Sequence, residues 1–223
     1  MPSNCIEPGR CTRATLITGR EEMASKPKPL LHLASSSPRR REILEALGLE
    51  FTVGSVDIEE ALEAGESAVQ MVLRLAIAKA AAAAVEPTRL VIGADTAVVM
   101  DGDVLGKPRG QEDAIAMLLK LSGRRHRVLT GVALHGSGSV QTALSSTDVL
   151  FREISRDEAL AYWQSGEPSD KAGSYGIQGR GGAFVASISG SYSGVVGLPV
   201  YETAELLRAA GIDILLQRKD DGR

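Results

Sequence analysis

The stretch RHRVLTGVALHGSGSVQTALSSTDVLF, residues 125–151, reads as two long strands about a Gly/Ser turn, and so as an antiparallel hairpin. Outward from it, strands and helices alternate. Upstream, LLHLAS (30–35) is a short buried strand that runs into a helix over SPRRREILEALG (37–48). FTVGSVDIEEAL (51–62) holds a strand and then an acidic loop. SAVQMVLRLAIAKAAAAAV (67–85) is a strong helix former with an apolar face, ended by Pro87. RLVIGADTAVVMDG (89–102) is a buried strand interrupted by Asp95, DGD and GKPRG are turns, and EDAIAMLLKL (112–121) is an amphipathic helix. Downstream come a helix over SRDEALAYWQSG (155–166), a glycine-rich loop SYGIQGRGGAF (174–184), a short strand, and a last helix from about Tyr201 to Ala210. The alternation with a hairpin in its middle predicts a mixed-sheet α/β protein.

The totals narrow the function classes. At 223 residues the chain has room for one sizeable domain or two small ones, and 43% hydrophobic with 24% charged residues excludes a mostly disordered or fibrous chain. A net charge of -3 argues against a general nucleic-acid or membrane-surface binder, so any anion site must be built locally. Cys5 and Cys11 are the only cysteines; no disulfide framework follows, and a cytoplasmic setting is expected. His32, His126 and His135 lack zinc-ligand spacing, so a metal would be held by carboxylates, which favours magnesium or manganese. No apolar run approaches the roughly 20 residues that span a bilayer. Residues 1–28, with Pro2, Pro8, Pro27 and mixed charges, read as a disordered extension before a domain over 29–214, and 215–223 as a polar tail.

Several charged residues admit a functional reading beside the structural one. In ASSSPRRREILEALG (34–48), Ser37 is a good N-cap and Pro38 suits the first helical position, yet Arg39, Arg40 and Arg41 oppose the helix dipole. Arg40 shares the side of Ile43, Leu44 and Leu47, Arg39 flanks it, and Arg41 points away. Either these arginines gather an anion at the helix mouth, with Ser35 and Ser37 as hydroxyl donors, or they form a solvated cluster with surface carboxylates. Lys79 lies in the apolar stripe of its helix and either snorkels outward or has a buried partner. Asp95, inside a run of Val, Ile and Ala, needs a metal, a cation or hydrogen-bond donors, because an unpaired buried carboxylate costs several kcal/mol, roughly. Glu59 and Glu60, on a loop, are solvated or join Asp95 as oxygen ligands. GDVLGKP fails the P-loop pattern, SYGIQGRGG fails the dinucleotide pattern, and no G-x-S-x-G elbow occurs.

LASSSPRRREIL, RLAIAKA, GADTAVV, LGKP, SGRRHRVLTGV, SGEPSDKAGSYGIQG and VVGLPV, in this order over about residues 30 to 212, together resemble the Maf family of nucleoside triphosphate pyrophosphatases. KAGSYGIQG resembles the branch acting on dTTP and UTP rather than that acting on 7-methyl-GTP. The resemblance implies an elongated α/β fold, a mixed sheet flanked by helices around a central cleft (Maf/ITPase-like), often as a homodimer. It implies hydrolysis of a nucleoside triphosphate to monophosphate and pyrophosphate with a divalent cation, Mg2+ or Mn2+. The family's catalytic aspartate falls on Asp95, its specificity positions on Arg39, Thr96 and Gln178, and its phosphate-binding and acidic positions on Ser35, Arg40, Glu60, Lys79 and Lys107. A metal would then be held by Asp95 and Glu60, although Asp95 as general base is the family's label. Thr96 follows Asp95 on a strand and projects to the opposite face, so a role through the backbone or a kink is expected for it. No nucleic-acid or membrane partner is implied. The alternative from another class is a nucleotide-binding regulator of cell division without turnover; within enzymes it is a different base preference.

Overall fold

Val, Ile and Ala fill nearly every position of the strand β3 (Leu90–Met100), the composition of a strand covered on both faces. In the computed structural model, which describes residues 31–216 except Pro87 and Ser137, that strand is central. The expectations for residues 1–28 and for the tail beyond 216 lie outside the described residues. β1 (Leu31–Ala34) pairs in parallel with β3, and β2 (Phe51–Gly54) pairs in parallel with β1. β4 (Asp103–Leu105), β5 (Arg125–Gly136), β6 (Ser139–Phe151) and β7 (Val185–Ser189) continue antiparallel, giving the order β2-β1-β3-β5-β6-β7 with β4 on β3. The β5–β6 hairpin is in register from Arg125↔Leu150 to Gly136↔Ser139, as its alternation predicts. The mixed sheet flanked by helices is the architecture expected from sequence.

The helices are α1 (Pro38–Ala46), α2 (Ala68–Ala83), α3 (Gln111–Leu121), α4 (Arg156–Gln164), α5 (Tyr192–Val196) and α6 (Val200–Ala209). Capping boxes start two of them: Ser67 with Gln70 opens α2, and Ser155 with Glu158 opens α4. Ser37 does hold the N-cap position of α1, but its side chain caps nothing; its own N–H is taken by the Ser35 hydroxyl at 3.2 Å. Three elements extend the sequence reading. Asp101 and Gly102, both left-handed at φ 54° and 89°, form a two-residue hairpin turn that brings β4 back onto β3. The five residues of α5 and the 3-10 turns in 167–184 are too short for periodicity to show.

The alternation of β3 sorts its side chains. Ala97 and Val99 pack with Met71, Val72 and Leu75 of α2 on one face, and Val91 meets Ala76 and Ala80 there. Ile92 and Ala94 face Leu44, Leu206 and Leu207 of α1 and α6 on the other, while Val98 and Met100 join the cluster under α3 and α4. One feature of the pairing positions the site. β1 bonds the edge of β3 at Leu90–Ile92 and β4 bonds the same edge at Val98–Met100. Between them, residues 93–97 have no strand on that side among the described residues.

Candidate active site

That gap in the sheet is where the chain builds a cleft. β1 ends at Ala34 and turns through three serines into α1, so the N-terminus of α1 points at the unpaired stretch of β3. Asp95 and Thr96 face opposite sides of the strand, yet both reach the opening because no neighbouring strand covers it. The cleft encloses about 330 Å³ and is lined by all nine residues expected from sequence: Ser35, Arg39, Arg40, Glu60, Lys79, Asp95, Thr96, Lys107 and Gln178. A second cavity meets it at Asp95 and runs under β4 between Leu62 and Met71.

Of the three arginines, Arg41 turns to solvent and pairs with Glu45, while the other two face the cleft. Arg40 is fixed on three sides: Nε donates to the Gly197 carbonyl at 2.8 Å, Nη1 to Ser35 Oγ at 3.0 Å, and Nη2 to Thr96 Oγ1 at 3.4 Å. Thr130 Oγ1 lies 3.0 Å from Thr96 Oγ1 and 2.8 Å from the Gly194 carbonyl, which can only accept. The hydroxyls of Thr96 and Thr130 thus tie Arg40 to α5. The Thr96 side chain, placed by alternation on the face opposite Asp95, is held in the cleft wall by Arg40 and Thr130. Arg39 reaches across the cleft to Asp170 at 3.5 Å.

Lys79 does not snorkel. Its ammonium lies 2.6 Å from Asp95 Oδ1 and 2.5 Å from Glu60 Oε1, and Lys79 and Asp95 are only 8% and 7% exposed. Lys107 closes the row on Glu60 Oε2 at 3.1 Å. Burial pushes the Asp95 carboxyl above the ordinary aspartate value, and the ammonium of Lys79 with the guanidinium of Arg40 only partly offsets this. Glu60 goes the other way: burial raises it, but hydrogen bonds and charge from Lys79 and Lys107 hold it below the usual glutamate value. Two neighbouring carboxylates are pushed apart, the pattern of an acid–base pair with distinct roles. Glu59 is exposed and does not line the cleft.

Gln178 stands exposed on the loop between the 3-10 turns, across the opening. Sequence reasoning missed Asp170, Lys171, Tyr175 and Gly197, which also line the cleft. SGEPSDKAG carried the signal for the first two, as charges in a motif otherwise read only as part of a resemblance.

Among the described residues no three His, Cys, Asp or Glu side chains group as a ready metal centre. Asp95 and Glu60 do converge, both within hydrogen-bond reach of one ammonium. Two carboxylates with substrate phosphates and water completing the shell is how magnesium is commonly held, so the donor set fits such an ion together with a phosphate chain.

No helix among the described residues is long and apolar enough to cross a membrane. Among curated proteins, the chain is 53% identical over 189 residues to the dTTP/UTP pyrophosphatase of Saccharophagus degradans, covering 82% of this chain and 90% of that protein. It is 54% identical over 179 residues to the dTTP/UTP pyrophosphatase of Vibrio cholerae, covering 79% and 96%. Among solved structures, the Ham1 protein of Staphylococcus aureus overlaps 56% of this chain and 72% of its own at 19% identity and a TM-score of 0.39, too slight to bear on the site. The profile described as Maf-like protein matches residues 30–210, the span that holds every cleft residue named above, and the chain belongs to the Maf family.

Proposed function

We propose that the chain is a hydrolase that converts dTTP and UTP to the nucleoside monophosphates and pyrophosphate, cleaving between the α- and β-phosphates. The observation that carries this is a single buried carboxylate, raised above its ordinary value, in a cleft that also holds Arg39, Arg40, Lys79 and Lys107. A triphosphate is the ligand that needs so many cations around so little room. The names of relatives at about half identity support the pyrimidine bases. The alternative of a binder without turnover asks of Asp95 only that it hold a metal or a lysine, and has no need of a base there.

In this reading Arg40 and the α1 N-terminus hold phosphate oxygens, and Ser35 keeps the guanidinium aimed. Asp95 accepts a proton from the attacking water; its raised value makes it a stronger base than an exposed aspartate. Lys79 sits against it, steadying the carboxylate before substrate arrives. Mg2+ or Mn2+, held by Asp95 and Glu60, would supply charge neutralisation and polarise phosphorus. A homodimer and a cytoplasmic setting belong to the same proposal, supported by the family resemblance and by the cysteine usage. The test is a panel of dTTP, UTP, CTP and 7-methyl-GTP with magnesium or manganese. Pyrophosphate equal to monophosphate, fastest for dTTP and UTP, is expected. Orthophosphate as product, or no turnover, overturns the reading.

Gln178 is the residue to read the base. A uracil or thymine edge offers an N3–H donor beside O4, and a glutamine amide can accept from the one while donating to the other. Replacing it, Gln178→Ala, is expected to lower kcat/KM for dTTP and UTP by roughly 1–3 kcal/mol in transition-state terms. CTP should suffer less, so discrimination narrows. An equal fall for all three removes Gln178 from that role.

A further inference from the structure

The glycine-rich loop that carries Gln178 is wrapped around a side chain outside the cleft. Glu167 begins the 3-10 turn Glu167–Asp170, just after α4, and is half-buried. Its Oε2 accepts the N–H of Arg180 at 2.9 Å, and its Oε1 accepts the N–H of Gly181 at 3.2 Å and the hydroxyl of Tyr162 at 2.8 Å. That same hydroxyl accepts the N–H of Gly176 at 3.0 Å. One carboxylate and one phenol therefore grip both ends of the segment 176–181, with Gln178 at its crest.

The glycines follow from this grip. A Cβ on Gly179 would lie 2.4 Å from Glu167 Oε1, and one on Gly181 would lie 2.5 Å from the Tyr162 hydroxyl. A Cβ on Gly176 would lie 2.7 Å from Lys171 Cε, and Lys171 itself donates to the Glu167 carbonyl at 2.6 Å. From sequence, the segment is simply a glycine-rich loop. In the structure, Gly179 and Gly181 let it close on Glu167 and Tyr162. Tyr162 is in turn fixed edge-on against Phe184, with ring centroids 5.2 Å apart. Both oxygens of Glu167 are engaged by the chain itself, and it does not line the cleft, so it is not placed to touch substrate.

We infer that Glu167, with Tyr162, is the positioning residue for base selection: it holds the loop 176–181 in the one shape that aims Gln178 at the pyrimidine edge. This rests on the dTTP/UTP reading. A glutamine amide matches a uracil edge in one orientation and a cytosine edge in the other, so selectivity requires a fixed backbone beneath it. An acceptor at both carboxylate oxygens supplies that; an amide cannot, because its NH2 would face an N–H or O–H donor.

The test compares wild type, Glu167→Gln and Tyr162→Phe. For each, kcat/KM is measured with dTTP, UTP and CTP, and amide exchange is followed at Arg180 and Gly181 against the β3 and β5 amides. The expected result for Glu167→Gln is a fall of about tenfold in the dTTP-to-CTP ratio, mainly through KM, the size expected for one mispaired, partly buried polar group. Amide exchange should quicken at Arg180 and Gly181 while β3 and β5 keep their protection. Tyr162→Phe deletes a single oxygen and supplies the same readouts if Glu167→Gln does not fold. An equal loss for all three substrates, an unchanged ratio, or unchanged exchange at the two amides overturns the inference. A wild type with no preference over CTP overturns the base-reading proposal instead, and the amide exchange then decides the loop's anchoring alone.

Discussion

Asp95→Asn abolishes most of the turnover: a fall of at least about a hundredfold in kcat is expected, the scale for removing a positioned base. The substitution keeps the shape of the side chain and its reach to Lys79, which lies 2.6 Å away. What it removes is the negative charge that, in the proposed reaction, accepts the proton. Stability should move much less than turnover. A carboxyl whose value is raised in the fold costs nothing below its unfolded value, because it is protonated in both states. The cost grows as pH rises and is complete above the folded value. At neutral pH the substitution removes that cost, but it also takes one counter-ion from the buried Lys79 ammonium and leaves Glu60 as its partner; the two effects oppose, so Tm should change little beside the loss of turnover. The pH profile of wild-type kcat/KM should show an acid limb lying above that range, and the residual activity of Asp95→Asn should lack it. Near-normal turnover in the variant, or a wild-type profile with no acid limb to lose, would assign Asp95 to structure.

What the sequence made legible was whatever one element decides by itself. The β5–β6 hairpin follows from alternation and a glycine turn. Asp95 stands out because a carboxylate in an apolar strand demands a partner. The partner was not legible: periodicity places Lys79 on the buried face of α2, but nothing in the spacing says that α2 lies over Asp95 rather than over another strand. Ser37 occupies the capping position, yet the Ser35 hydroxyl binds its backbone N–H and the Arg40 guanidinium binds Ser35. That arrangement depends on where Gly197 and Thr96 arrive from far along the chain. β4 has three residues and α5 five, too few for a pattern, although Asp101-Gly102 announces the turn. Gly176, Gly179 and Gly181 were legible as a permissive loop; only the contacts with Glu167 and Tyr162 explain why Gly179 and Gly181 leave no room for a side chain.

Gly93→Ala is expected to be the most destabilising single methyl group in the site's support. The helix α2 rests its backbone directly on the sheet over two glycines. A Cβ on Gly93 would lie 2.3 Å from the Ala76 carbonyl oxygen and 2.6 Å from the Ala80 nitrogen; one on Gly131, the cross-strand partner of Asp95, would lie 2.6 Å from the Val72 oxygen. These obstacles are helix backbone, so no rotamer change relieves them. Either α2 lifts by about 1 Å to reach ordinary contact or the strand bends. Overpacking costs about 1–3 kcal/mol when side chains can adjust, and the upper end is expected here. In a chain of this length that is a drop of roughly 6–12 °C in Tm. Function should fall with it. Lys79 lies between Ala76 and Ala80, so lifting this turn draws its ammonium away from Asp95 and Glu60, and a misplacement of about 1 Å is enough to cost up to a hundredfold in rate. Gly110→Ala is the control: nothing lies within 4 Å of its Cβ and its φ of 167° is extended backbone, so about 1 kcal/mol at most is expected from the weaker N-cap of α3. Thermal unfolding and kcat with dTTP, measured on both variants, check the pair. A Gly93→Ala protein that melts with wild type would mean that α2 is not held against β3 as closely as the structure places it.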